Sequence, residues 1–580
     1  MLKIDHRDGA GRSGRLGCGL SIPNVLVPRM NGEGELASPA EMEPLIHQGD
    51  EKKPLIQTML QDGVSLCLEK GTDISAMDDV LEGRSGYDTG GSSDRDMNDR
   101  QWHVNWGLAG ETDVRSIPFA GVLVQRPAEL LARIISVRGG DGHNHPVHLP
   151  GVHQAELYAV YTYAGADIFD GSPLVAQASC GRRIPHPGEP EMEPTDFQPA
   201  LKHNLEVARR EIETVRRALA RGVLRELAET RASSSLEAMT VLRHLDCRFA
   251  PQMESISPIA RGVPMKVPSR EALSRPEVSR WIDRIRKRYT PPPSAKVLVL
   301  LPCSARKPYS TSKTHRILSN ALDTTGKRRL LHEVIVTSPL GTVPRELENF
   351  YPAASYDVPV TGRYLAEERE MIRSCLSRMV DSGNYSSVIV DLREEWEFVE
   401  DILPDAVNVC RGHPTSRESQ SGLRSAVIDA CQEMKVPSKD QRHRDDMGSL
   451  ATFQFGQGGA VLAEGCTVKG NPFQRRLFVD GDQVASLNRD RGMLALTLRG
   501  GELLSSRQTH RVEIEDFIPK GTIFCQGIVN ADGSIRSGDE VVAVHQGTVR
   551  GVGVALVGAD ELRGLDSGPG IKTRHHARED

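Results

Sequence analysis

Paired cysteines, long apolar runs, abundant aromatics and a surplus of positive charge are all missing from this 580-residue chain. Its ten cysteines, Cys18, Cys67, Cys180, Cys247, Cys303, Cys375, Cys410, Cys431, Cys466 and Cys525, are scattered, and no two form a C-x-x-C pair. Such spacing argues against a zinc ribbon and against a dense disulfide framework. Most of these thiols are expected to be small buried hydrophobes in a reducing compartment. No stretch approaches the roughly 18 continuous apolar residues that a membrane helix needs, and the opening MLKIDHRDGAGR contains no apolar signal segment. A cytoplasmic protein with no membrane partner is therefore expected. Net charge is −6, so the chain as a whole does not attract polyanions, and an RNA partner requires local basic patches.

What is present is an ordinary globular composition, 38% hydrophobic and 26% charged, long enough for roughly three to five domains. Residues 122–125 (in PFAGVLVQ) and 158–161 (in ELYAVYTY) read as strand or buried helix, and residues 82–100 as a long Gly/Ser/Asp-rich surface loop. Between Pro199 and Leu245, the residues Leu205, Ala208, Ile212, Val215 and Leu219 recur at three- and four-residue steps, which predicts amphipathic helix. Pro291, Pro292 and Pro293 form a stiff joint. Beyond them, residues 297–301 (VLVLL), 334–337 (VIVT) and 388–390 (VIV) are short β-branched runs separated by helical stretches. That pattern predicts a mostly parallel α/β sheet covered on both faces. Residues 438–449 (SKDQRHRDDMGS) read as a polar linker, and the C-terminal part, with turns at Asp532-Gly533 and Gly538-Asp539, as a small β-barrel.

The segment richest in chemistry is Pro302-Cys303-Ser304-Ala305-Arg306-Lys307-Pro308-Tyr309-Ser310-Thr311-Ser312-Lys313-Thr314-His315. It begins where the VLVLL strand ends, and ligands bind at the carboxyl ends of strands in parallel α/β sheets. Lys307, Lys313 and His315 are expected to lower the pKa of the Cys303 thiol, while Tyr309 and Ser312 add hydrogen-bonding groups. From the residues alone, a buried structural Cys303 in a solvated basic loop is the commoner arrangement for a single cysteine.

The string matches the archaeosine synthase signature P-C-x3-K-P-Y-x2-S-x2-H at every specified position, and the chain resembles that family. Thr337-Ser338-Pro339-Leu340-Gly341, Val343-Pro344-Arg345-Glu346-Leu347-Glu348, Tyr351-Pro352-Ala353 and Tyr356-Asp357-Val358-Pro359-Val360-Thr361-Gly362 extend the likeness over most of residues 295–400. Upstream, Ala164-Gly165-Ala166-Asp167-Ile168-Phe169-Asp170 resembles the G-x-D-x-F-D segment of tRNA-guanine transglycosylases, with Asp170 at the position of their nucleophile. Leu201-Lys202-His203-Asn204-Leu205 is similar to the segment holding their zinc-binding His. The C-x-C-x-x-C partner cluster is absent, with only Cys180 in the interval, so neither zinc nor another cofactor is expected. Pro519-Lys520-Gly521, residues 535–541 around Gly538 and Asp539, and the ending Gly568-Pro569-Gly570-Ile571-Lys572 resemble a PUA domain, which implies RNA contact through Lys520, Gly521, Gly538 and Asp539.

The resemblance implies an α/β multidomain chain. Its expected parts are a reduced TIM-barrel-like transglycosylase region (1–285), an α/β three-layer catalytic domain (294–437), a small α+β connecting domain (450–503) and a PUA RNA-binding β-barrel (507–580). It further implies an enzyme that adds an amine, from lysine or from glutamine or ammonia, to the nitrile of 7-cyano-7-deazaguanine in the D-loop of archaeal tRNA, at position fifteen. Cys303, Lys307, Tyr309, Ser312 and His315 are the implied catalytic set, a radical-SAM enzyme an implied partner, and a homodimer an implied assembly. Two other classes stay open: transglycosylation through Asp170, and a non-catalytic tRNA-binding subunit.

Overall fold

The computed structural model describes residues 2–16, 21–28, 41–46, 56–57, 114–117, 119–471 and 474–578; the expected loop at 82–100 lies outside them. The chain divides into two compact units, Met1–Ile256 with Gly564–Gly568, and Ser257–Arg563 with Pro569–Asp580.

In the first unit, a small antiparallel sheet of β1 (Leu2–Asp8), β2 (Gly11–Leu16) and β3 (Ser21–Ile22) precedes a six-stranded one. The larger sheet comprises β4 (Asn24–Pro28), β5 (Glu41–Pro44), β6 (Ile56–Gln57), β7 (Arg115–Ser116), β8 (Val147–Leu149) and β9 (Ile168–Asp170), in the order β6-β5-β4-β9-β8-β7. Strands β7, β8, β9 and β4 run parallel, and parallel neighbours need crossovers. Helix α1 (Pro127–Arg138) links β7 to β8, and α2 (Ala155–Ala164) links β8 to β9. Every residue of α2 except Glu156 is buried, so a helix apolar all round shows no 3.6-residue stripe, and the ELYAVYTY run is helical rather than extended. Among the described residues this sheet keeps two unpaired edges, which is not the closed eight-stranded arrangement of a (β/α)8 barrel. After α3 (Ser172–Ser179), the periodic stretch forms α4 (Phe197–Arg221), α5 (Leu224–Ala232) and α6 (Leu236–Cys247), and Ala208, Ile212, Val215 and Leu219 are in the core.

The second unit begins with the short β10 (Met265–Lys266) and α7 (Pro276–Lys287). The three apolar runs then become three adjacent strands, β11 (Val297–Pro302), β12 (Leu331–Thr337) and β15 (Ser387–Val390). With β13 (Gly341–Pro344) and β16 (Val407–Asn408) the order is β13-β12-β11-β15-β16, all parallel except the edge strand β13. Side chains alternate between the faces. Val297, Val299 and Leu301 pack on Leu318 and Leu322 of α8 (Lys313–Asp323) and on Leu423 and Val427 of α10 (Arg417–Ala430). Leu298 and Leu300 share a core with Ile372 and Leu376 of α9 (Ala366–Ser382). Residues 297–301 are all 0% exposed, each burial contributing about 1.5–3 kcal/mol, which is why the run is continuous instead of alternating. The strand β14 (Tyr356–Asp357) pairs with β10.

Residues 438–449 are not a linker. Ser438 caps α11 (Lys439–Phe455) by accepting from the Gln441 N–H at 3.1 Å, and Met447, Leu450, Ala451, Phe453 and Phe455 are buried. The first turns of this helix expose charged side chains, so composition alone hides it. An antiparallel sheet of β17 (Thr467–Lys469), β18 (Arg476–Val479), β19 (Asp482–Asn488) and β20 (Met493–Leu496) follows, then α12 (Leu498–Ser506). The chain ends in a six-stranded sheet of β21 (Arg511–Ile514), β22 (Thr522–Phe524), β23 (Ile528–Ala531), β24 (Glu540–His545), β25 (Thr548–Ala555) and β26 (Pro569–His576), ordered β22-β26-β25-β24-β21-β23.

Candidate active site at the carboxyl end of the central sheet

Strands β11, β12 and β15 end on the same side, and each delivers a polar residue there: Cys303, Thr337 and Asp391. Cys303 is partly buried. Its thiol meets the Thr337 hydroxyl, which donates to the Ser338 carbonyl at 3.1 Å and lies 2.6 Å from the Tyr356 hydroxyl. Tyr356 in turn lies 2.6 Å from the hydroxyl of the fully buried Tyr309. A line of hydroxyls therefore runs from Tyr309 through Tyr356 and Thr337 to the sulfur.

Charges of both signs flank this line. Lys307 holds its ammonium 3.8 Å from the Tyr356 ring centroid, where the π face favours a cation, with Cys303 and Asp357 nearby. Glu395 accepts from the Tyr364 hydroxyl at 2.6 Å. The Cys303 pKa is raised rather than lowered: burial contributes most, Glu395 adds to it, and Lys307 and Thr337 pull the other way without prevailing. The expectation of an acidified thiol is thereby corrected. Asp391 is 0% exposed, and among the described residues neither carboxylate oxygen receives a hydrogen bond from nitrogen or oxygen. The Cys410 thiol approaches it, and burial pushes its pKa up to about 7 against that weaker pull.

Two residues of the signature do not face Cys303 chemically. Ser312 caps α8, accepting from the His315 N–H at 3.1 Å. His315 is 0% exposed, and its two ring nitrogens are both engaged. Arg345 donates to Nδ1 at 2.9 Å, and Nε2 therefore carries the hydrogen and donates to the Pro302 carbonyl at 3.0 Å. Burial, then the Arg345 charge, pushes its pKa down to about 3. Both ring nitrogens are thus held by the fold, so the expectation of His315 in the catalytic set is corrected to a positioning residue. Arg345 is itself held by Glu333 at 3.1 Å and Glu348 at 2.9 Å.

The other expected site residues are placed as follows. Asp170, 7% exposed at the end of β9, accepts the Gly151 N–H at 3.0 Å and the Ser172 N–H at 2.8 Å. His203 bonds through Nε2 to the Ile184 carbonyl at 2.9 Å, and Cys180 is exposed. Among the described residues no three His, Cys, Asp or Glu side chains gather as a metal site would need. Lys520 and Gly521 are exposed just before β22. Asp539 is 0% exposed and accepts the Arg536 N–H at 2.8 Å within the turn that Gly538 makes at φ +93°. A side chain so enclosed does not face RNA, and the expectation for Asp539 is corrected to turn formation.

Comparison with known proteins places this geometry. Residues 278–427, which include Cys303, Lys307, Thr337, Tyr356, Asp391 and Glu395, match a family described as a domain of unknown function (DUF5591), and residues 510–577 match the PUA domain. The chain is 30% identical to the archaeosine synthase subunit alpha of Methanosarcina acetivorans over 99% of both chains. It is likewise 30% identical to that of Thermoplasma acidophilum, over 79% of this chain and 87% of the relative. This chain belongs to the archaeosine synthase family. More distantly, it is 24% identical to the tRNA-guanine(15) transglycosylase of Methanothermobacter thermautotrophicus, over 77% of this chain and 69% of the relative. The signature residues of the family thus divide into a group around the thiol (Cys303, Lys307, Tyr309) and a group that seats the loop (Ser312, His315).

Sequence reading missed Thr337, Tyr356, Tyr364, Asp391 and Glu395 as site members. Thr337 and Asp391 carried a usable signal, since each ends or directly follows an apolar VIV run, as Cys303 follows VLVLL. Tyr356 comes from the two-residue strand β14, and Tyr364 and Glu395 from segments between the longer elements, all too short for a periodic pattern.

Proposed function

We propose that this chain is a tRNA-modifying transferase that adds an amine to the nitrile of 7-cyano-7-deazaguanine in the D-loop of tRNA, at position fifteen. The observation that carries the reading is the Cys303 thiol at the strand ends, in contact with the hydroxyl line of Thr337, Tyr356 and Tyr309. A nitrile carbon is a weak electrophile, and covalent addition splits one hard step into two. The S–H bond breaks, sulfur bonds to the nitrile carbon, and the proton reaches the nitrile nitrogen, giving a thioimidate. The amine then bonds to the same carbon, the C–S bond breaks, the thiol regains a proton, and an amidine remains. Nitrile plus amine accounts for every atom, with no cofactor required.

A thiol protonated at rest suits this addition, because the proton that the nitrogen needs is carried to the site with the sulfur. The buried hydroxyls offer a path for it, and Lys307 stabilises the transient thiolate and orients a donor carboxylate. Ser312 and His315 hold the loop. The PUA domain binds structured RNA by shape and backbone, and the base is flipped out to reach the thiol, at an energetic cost offset by binding contacts. The first unit serves as a reduced, TIM-barrel-like scaffold for tRNA, supported by its four parallel strands and by the two backbone N–H groups that hold the Asp170 carboxylate. Free lysine, glutamine or ammonia is the donor, a radical-SAM enzyme acts on the adduct, and the working assembly is a homodimer.

The test is mass spectrometry of tRNA bearing 7-cyano-7-deazaguanine after incubation with this protein and isotopically labelled lysine or glutamine. A donor-sized increment on the modified nucleoside is expected, and it disappears in Cys303→Ala. No increment with either donor, but release of labelled base, moves the activity to transglycosylation and to Asp170.

A further inference from the structure

The loop after β15 brings a carboxylate to Cys303 that no step above employs. Glu395 lies in a short turn, Glu394–Phe398, and is only 6% exposed. Tyr364 occupies one of its oxygens, Oε1. Its charge acts on the Cys303 thiol as the largest influence after burial, ahead of the opposing Lys307. Among the described residues no lysine or arginine forms an ion pair with it, whereas Glu333, about equally enclosed, is matched by Arg328 and Arg345. An enclosed carboxylate without a cation is costly. Beside a reacting thiol, the natural complement is a cation that arrives with the substrate.

We propose that Glu395 is the amine subsite: its carboxylate binds the donor's ammonium and takes one proton from it, so that the free amine attacks the thioimidate carbon. This rests on the addition chemistry proposed above. The ammonium N–H bond breaks and the proton moves to Glu395. The nitrogen lone pair forms the C–N bond, and the C–S bond breaks with its electron pair on sulfur. Glu395 then returns the proton to the sulfur, which restores both groups. Tyr364 fixes the carboxylate through Oε1 and leaves Oε2 to the donor. The ligand class is therefore a primary amine that is a cation at neutral pH, and an uncharged carboxamide has nothing to offer this group.

The experiment uses the full chain, its Glu395→Gln variant, and tRNA bearing 7-cyano-7-deazaguanine, with lysine, ammonium chloride or hydroxylamine as nucleophile. Hydroxylamine is uncharged at neutral pH and needs no deprotonation before attack. In Glu395→Gln, kcat/KM for lysine and for ammonium falls about 100-fold, the range expected on removing a general base. The Cys303–tRNA adduct formed without amine is retained, and hydroxylamine restores turnover to within a few-fold of the unsubstituted protein. Alkylation of Cys303 also moves to lower pH, which shows that the variant is folded and that the charge has gone. Glu395→Asp, which keeps the charge, keeps more of the lysine activity than Glu395→Gln. Unchanged lysine turnover in Glu395→Gln overturns the proposal, and so does an equal loss with hydroxylamine, which assigns Glu395 to the thiol step instead. If the unsubstituted protein forms neither adduct nor amidine, the addition chemistry itself fails and the subsite with it.

Discussion

Asp170 and Cys303 occupy equivalent places in two different sheets, each directly at the carboxyl end of a parallel strand, yet their surroundings differ in kind. Both Asp170 oxygens are used by backbone N–H groups that shape the neighbouring turns. Nearby His148 is kept neutral, its pKa pushed down to about 4 by burial against the weaker pull of Asp170. Cys303 is instead surrounded by side chains with capacity to spare: a hydroxyl line, an ammonium and a carboxylate. Position at a strand end marks where a ligand binds; what makes the position reactive is a functional atom not already satisfied by the fold.

The largest contrast between the two regions is in turnover. Cys303→Ala lowers amidine formation by more than about 10³-fold, the order expected when a covalent nucleophile is lost. Asp170→Asn leaves it within about twofold and costs about 1–3 kcal/mol of stability, because an amide nitrogen then faces a backbone N–H. Labelled-donor incorporation and thermal melting of the two variants check both halves. Guanine exchange abolished by Asp170→Asn would invert the comparison.

Within the second unit, two enclosed groups respond to pH with opposite signs. Asp391 has a folded pKa of about 7, above its ordinary 3.8. The unfolded chain therefore ionises first, and stability present below pH 3.8 is lost as pH rises to 7. Asp391→Asn is expected to stabilise the protein by about 1–3 kcal/mol at pH 8, with the gain vanishing near pH 4. His315 is depressed to about 3 from 6.5. There the unfolded chain takes the proton first, so stability present above pH 6.5 falls by up to about 1.4 kcal/mol per pH unit on the way to pH 3. His315→Gln flattens that acid slope. Denaturant melts across pH 4–8 separate the two groups, and a parallel slope in both variants would discard the burial argument for either.

The fold of the second unit was legible where burial is continuous: three apolar runs became three neighbouring strands because both faces of β11, β12 and β15 are covered. It was illegible at α11, where charged early turns hide a helix whose apolar residues begin only at Met447. In the site, the P-C-x3-K-P-Y-x2-S-x2-H string located the loop, but spacing could not separate the residues that face sulfur from those that seat the loop. His315 lies twelve residues from Cys303 in a motif of reactive types, and only Arg345, thirty residues further on, shows that its ring is fully engaged. Glu395 was invisible for a related reason: its electrostatic influence on Cys303 depends on β15 lying beside β11, a pairing between residues far apart in the chain.

The smallest expected effect is also the most direct reading of the site's electrostatics. Lys307 opposes the rise of the Cys303 pKa, and the thiol in turn supports the charge of the lysine against burial. Lys307→Gln removes the cation that opposes the rise of the sulfur's pKa while keeping a polar chain of similar length. The midpoint for Cys303 alkylation by iodoacetamide is then expected to move up by a fraction of a pH unit to about one unit, equivalent to roughly 1 kcal/mol. The same midpoint moves down when Glu395 loses its charge, so the two substitutions bracket the native value. A midpoint unmoved by Lys307→Gln would place the ammonium too far from the sulfur to stabilise a thiolate, and would leave the Tyr356 ring as its only role.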